Sequence, residues 1–225
     1  MKFGNAVVGE FSKAITLPGV WAGLAVGAGA SAALSVINAT TVQSAIETGD
    51  LSRVADTSAF ETAFAMMPLG TVGAVIIGVM LMGSEYTMDT AESGGGRQIA
   101  TTLRAIPNLR TLIAAKAVVT VILTVAMALI SLPVSILLVR LIMGESGVET
   151  VTLGEAVARC LGGTLYWVLM GLIALAIAAL TRTVMIPLTL LIINGSMVSF
   201  SFLLTKVTSL ADYLPDMAGR NLFVG

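Results

Sequence analysis

The chain has 225 residues, of which 56% are hydrophobic and only 11% charged, with a net charge of -1. Soluble domains carry about 25% charged residues, so an ordinary soluble domain is excluded, and no basic block exists to hold a nucleic acid. With no histidine and the single cysteine Cys160, imidazole catalysis, Cys/His metal spacing and an intrachain disulfide are excluded as well.

Five charge-free stretches, residues 14–46, 62–84, 117–139, 160–181 and 183–205, run for 22 to 33 residues each. About 20 apolar residues carry a helix across the hydrocarbon core. The expected fold class is therefore an all-α integral membrane protein, a polytopic helical bundle with five spans. Residues 1–225 read as one transmembrane domain.

In chain order, residues 1–16 come first. Phe3, Val7, Phe11 and Ile15 recur every four residues, which predicts an amphipathic interface helix ending before Pro18. The stretch that follows is too long, and its preceding segment too mixed, for a cleaved signal. It carries Gly19, Gly23 and Gly27 with Ser31 one step further, a small-xxx-small stripe that permits close helix packing. Its partner is either a neighbouring helix or the pairing interface with another subunit. Trp21 serves as an interfacial anchor.

Residues 47–61 form a short acidic loop. The second span holds Pro68, Gly70, Gly73 and Gly78, and the third holds Pro133, which predicts a kink. The fourth carries Tyr166-Trp167. Only Thr181-Arg182-Thr183 separate it from the fifth, which predicts a tight hairpin, with the fifth starting near Pro187. Asn194-Gly195-Ser196 reads as a small-residue helix contact, because a serine nucleophile lacks a histidine here. Residues 206–225, with Tyr213, Pro215 and Gly219, read as an amphipathic outer segment.

With the N-terminus inside, seven basic residues fall on inner segments and five on outer ones, the direction of the positive-inside rule. No span interior carries an ionisable residue, which disfavours coupling to an ion gradient. No G-x-x-x-x-G-K-[ST] is present either, so energy for uphill transport arrives from another chain.

The longest inner segment, 85–116, reads in two halves. Glu85, Asp89 and Glu92 fall at i, i+4 and i+7, which predicts an acidic helical face. Ile99, Leu103 and Ile106 then make an apolar stripe beside Arg97 and Arg104, in a short helix ending before Pro107.

The run Gly83-Ser84-Glu85-Tyr86, Gly96-Arg97, Thr101-Thr102-Leu103, Pro107, Arg110 and Ala115-Lys116 resembles the membrane-spanning permease subunits of type-2 ATP-binding-cassette (ABC) exporters. The N-terminal helix with Glu10 and Lys13 is similar to that family's interface helix, and residues 206–225 to its outer hairpin. The resemblance implies a permease that moves an amphipathic or lipid-like cargo, such as a drug, a peptide antibiotic or a lipid. It implies a separate ATPase partner that holds ATP and Mg, no cofactor in this chain, and pairing with a second copy or a related permease in a bacterial-type cytoplasmic membrane. The coupling residues it implies are Glu85, Arg97, Leu103, Arg104 and Arg110. Residues 88–95 depart from the pattern as an insertion. The family layout has six spans, so a last span is expected beyond the apolar ending 221–225. A non-transporting membrane structural or immunity-type protein and an ion-coupled carrier using Asn194, Ser196, Ser199 and Ser201 are the alternatives.

Overall fold

In lipid every backbone N–H and C=O must find a partner inside the protein, which leaves the apolar stretches little choice but helix. The computed structural model describes residues 2–50, 52, 54, 56–89, 96–106, 108–144, 146 and 151–194, with the side chains of 88, 89, 96, 97 and 192–194 excepted. Helix α1 is Phe3–Ala14. Helix α2, Pro18–Thr48, is the first span, α3, Ala59–Tyr86, the second, and α4 is Gln98–Ala105. The third and fourth spans are α5, Leu109–Met143, and α6, Leu153–Thr181, followed by α7, Met185–Asn194. The chain is thus an all-α polytopic membrane bundle, with four of these helices long and apolar enough to cross. The remainder of the expected fifth span, the serines proposed as carrier ligands and the segment 206–225 lie outside the described residues.

Three boundaries differ from the charge-free runs, and each has a local cause. Helix α5 starts eight residues before residue 117, so Arg110 and Lys116 are helical rather than part of a loop. The Asn108 side chain accepts from the Arg110 N–H at 2.9 Å and caps the helix there. Helix α6 starts at Leu153 instead of residue 160 because Thr152 and Glu155 form a reciprocal capping box. The acidic helix expected through Glu85, Asp89 and Glu92 does not continue from Glu85 to Asp89, and Glu92 lies outside the described residues. Helix α3 ends at Tyr86, Thr87 turns extended, and Met88–Asp89 (β1) pairs antiparallel with Gly96–Arg97 (β2), Met88 opposite Arg97 and Asp89 opposite Gly96.

Helix α3 is the axis of the bundle. From Gly70 to Gly83 nearly every residue is buried, with α2, α5 and α6 around it. A Cβ at Gly73 would stand 2.5 Å from both the Gly23 carbonyl oxygen and Gly27 Cα. The two helices therefore meet backbone to backbone at this point, which only glycine permits. The stripe Gly19, Gly23, Gly27 is thereby placed within the chain. Gly19 faces Met80, Gly23 faces Gly73 and Ile77, and Gly27 faces Gly73 and Met127. Of the two partners left open for the stripe, the neighbouring helix is the one seen here, with Gly23 and Gly27 buried against the chain's own α3 and α5.

Helix α3 is interrupted at Pro68, where Met67–Leu69 winds as a 3₁₀ turn. Proline supplies no N–H to the preceding turn. Carbonyls beside the break are taken up by the first span: Asn38 Nδ2 donates to Thr62 O at 2.9 Å and Ser35 Oγ to Ala63 O at 3.4 Å. At the start of α3, Glu61 receives Arg159 of α6 through both carboxylate oxygens. The guanidinium lies 5.3 Å and 4.7 Å from the ring centroids of Phe60 and Phe64, so this charge is neutralised and covered.

Replacing Gly73 by alanine is expected to cost about 1–3 kcal/mol, because the new methyl meets backbone that cannot turn away. Gly29→Ala, where a Cβ meets nothing within 4 Å, is expected to be neutral or stabilising by up to about 1 kcal/mol. Thermal unfolding in detergent measures both; equal melting temperatures would contradict the close approach.

Candidate functional site

Helix α1 presents two faces. Phe3, Phe11 and Ile15 are exposed, while Ala6, Glu10 and Ala14 are buried. The buried line recurs every four residues, so it is one side of the helix. Its small members bring α1 close to α5 and carry Glu10 into the protein, with Lys13 one turn further on.

Four charged groups from three elements meet there. Lys116 Nζ of α5 donates to Glu10 Oε2 at 2.5 Å and to the Leu81 carbonyl at 3.0 Å. It also stands 2.8 Å from Glu85 Oε1. An ammonium has three donors, and all three are matched. Lys13 Nζ reaches the same Glu85 oxygen at 2.5 Å. Glu85 and Lys116 are both 0% exposed and Glu10 4%. Two carboxylates and two ammoniums sum to zero charge, which is how ionised groups persist in so buried a place.

The cluster is roofed by the segment that follows α3. Leu103 of α4 is half-buried, and it packs with Val7 against a small core of Ala6, Ile106, Leu112 and Ala115. Tyr86 Oη donates to the Ala179 carbonyl at 3.2 Å, joining the end of α3 to the end of α6. Thr87 Oγ1 donates to Ser84 O at 2.7 Å and closes the turn out of the helix. Arg182 then makes the α6–α7 hairpin in the left-handed region at φ 54°.

Of the residues singled out for coupling, Glu85 is therefore at the centre of the cluster, and Leu103 is in its roof. Arg104 and Arg110 are exposed on the surface beside it, and the Arg97 side chain lies outside the described residues. What the sequence did not disclose is the partnership. Glu10 and Lys116 are 106 residues apart, and Lys13 and Glu85 are 72 apart. The available signal was a lysine seven residues inside a capped helix, which in lipid demands a buried partner.

Among the described residues the arrangement contains no nucleophile–base pair. It is a mechanical joint: α1, the end of α3 and the start of α5 are tied through one shared carboxylate, with α4 lying directly on them.

A family model described as ABC-2 family transporter protein matches residues 7–198, a span that takes in the cluster and every helix but the first turn of α1. No curated protein and no solved structure matches the chain.

Lys116→Met leaves Glu10 buried without a cation and Glu85 with Lys13 alone. A loss of about 3–5 kcal/mol is expected, the usual result of removing one partner from a buried ionic group. Adding Glu10→Gln to Lys116→Met removes the stranded charge and is expected to recover part of it. Unfolding in detergent reads both variants; a double variant no better than the single would contradict charge pairing as the cause.

Proposed function

The chain belongs to the ABC-2 transporter family, a family of membrane-spanning transport permeases, and from that premise we propose how this one works. It moves an amphipathic or lipid-like cargo, such as a drug, a peptide antibiotic or a lipid, driven by ATP hydrolysis on a separate ATPase subunit. ATP and Mg reside on that partner. The N-terminus and the segment from β1 to α4 face the cytoplasm, in a bacterial-type cytoplasmic membrane. A second copy or a related permease completes the transporter, through a face other than the glycine stripe that α3 already occupies.

The observation that carries this reading is the interlocked cluster beneath α4. A push on α4 from an ATPase has a direct path inward. Leu103 bears on α1 and α5, and Glu85, Lys116, Glu10 and Lys13 bind those two helices to the second span. A displacement of the roof is thereby delivered to three elements together, as a lever requires. Exposed Arg104 and Arg110 supply the contact with the ATPase, whereas Leu103 works from the inside by fixing α4 to the bundle. The cargo class is supported by the predominantly apolar composition of the spans and by twelve methionines, which offer adaptable contact surface.

Purification of the tagged chain from its native membrane in mild detergent is expected to bring down an ATPase in stoichiometric amount. Arg104→Glu with Arg110→Glu, both surface changes, are expected to lower its recovery at least about tenfold, equivalent to roughly 1.4 kcal/mol at a charged contact. The permease itself should keep its melting temperature. A clean preparation with no nucleotide-binding partner would overturn the proposal.

A further inference from the structure

Midway along the bundle lies a cavity of about 10 Å³ between α2, α3, α5 and α6, the room that a single water needs. Its wall is unexpectedly polar for a membrane interior. Ser31 and Ser35 come from α2, Ser131 and Ser135 from α5, and Trp167 from α6, all of them 5% exposed or less. Ser31 Oγ spends its proton on the Gly27 carbonyl at 2.7 Å, and Ser35 Oγ spends its own on Ala63 O at 3.4 Å. Both keep lone pairs. Ser131 Oγ and Trp167 Nε1 have no protein hydrogen-bond partner among the described residues. Buried polar groups are nearly always satisfied, and the penalty for leaving two donors unmatched in one small space is large.

The cavity also sits where two helices depart from regular α geometry and a third carries a proline. The turn Ala25–Ala30 of α2 is π-helical and ends at Ser31. Helix α3 breaks at Met67–Leu69, and Met67 lines the cavity. Pro133 of α5 falls between Ser131 and Ser135. Proline and π-turns are the ordinary causes of bends in helices, and here they share one level with the serines. Backbone carbonyls at such breaks need partners that adjust as the angle changes, which a rigid side chain supplies poorly.

We propose that this cavity binds one ordered water molecule, which accepts from Ser131 and Trp167, donates to the Ser31 and Ser35 oxygens, and joins α5 and α6 to the irregular level of α2 and α3. The water has four partners, within the range that holds buried water in place. It lies far from the charge cluster along α3 and depends on no partner chain.

The test uses the indole N–H as reporter. The chain has two tryptophans, so Trp21→Phe leaves Trp167 alone, and the N–H hydrogen-bond marker band in ultraviolet resonance Raman reads that one group in the full-length protein in detergent. A hydrogen-bonded N–H is expected, and its conversion to a free N–H on adding Ser131→Val, which removes a hydroxyl and fills the space. Where Ser131→Val does not fold, Ser135→Val from the same wall takes its place with the same expected loss. A free N–H in the Trp21→Phe protein, or a hydrogen-bonded band that survives the valine variant, would overturn the proposal.

Discussion

A charge cannot stay in lipid alone, and the layout of this chain follows from how it meets that condition. Lys116 lies inside α5 with its side chain 1% exposed. It is stable there only because Glu10, Glu85 and the Leu81 carbonyl surround its three protons. That requirement pins α1 to the bundle, sets where α3 ends and lets α5 run for 35 residues. Without the anions, the helix would have to start later or lift its lysine towards water. Helix α1 is thus fixed to the bundle by electrostatics on one side, while Phe3, Phe11 and Ile15 are exposed on the other.

The second span is held by the same logic at both ends. Glu61 near its start pairs with Arg159, and Glu85 at its close takes Lys13 and Lys116. Between these clamps, Gly73 brings the backbone of α2 into contact, and Gly171 of α6 sits where a Cβ would be 3.1 Å from the Ala74 carbonyl. Apolar attraction between helices is weak in a hydrocarbon solvent, so close backbone packing and polar ties have to supply the cohesion. Helix α3 has both, and its surroundings are correspondingly dense. The outer faces of α5 and α6, with Leu129, Ile130, Leu137, Leu161 and Leu180 exposed, carry ordinary lipid-compatible surface instead.

Fold class and element order were legible in the sequence because hydrophobic length is a property of contiguous residues. So was α4, whose stripe of Ile99, Leu103 and Ile106 lies within one helix and its exit. Boundaries were less legible, since reading spans as charge-free runs treats every charge as a terminus. Asn108, Thr152 and Ser58 are the residues that start α5, α6 and α3, and each is a local capping signal visible in the sequence. The helices run past Arg110, Lys116 and Arg159 because those charges are solvated or paired. The candidate site was legible residue by residue and not as a unit. Glu85 and Lys116 belong to a recognisable run, and Glu10 and Lys13 to another, but nothing local says that they share protons. The two-residue ladder that replaced the expected acidic helix depends on Gly96 lying opposite Asp89, a pairing that helical spacing conceals.

Rigid ends and an irregular middle have a mechanical consequence. Charge pairs with matched donors resist sliding, because any shift strands a buried ion. The two clamps of α3 therefore tie it to the helices they grip, Glu85 to α1 and α5, Glu61 to α6. Between the clamps, α2 and α3 each contain a turn whose backbone bonds are already redistributed, at Ala25–Ala30 and at Met67–Leu69, and α5 carries Pro133, which supplies no N–H. Bending concentrates where it breaks no regular hydrogen bond. Serines 31, 35, 131 and 135 place hydroxyls at that level, and a hydroxyl can give up one carbonyl for another with a turn of χ1. The bundle thus joins charge-paired ends of α3 to an irregular level midway along it, where the four serines and the turns Ala25–Ala30 and Met67–Leu69 meet.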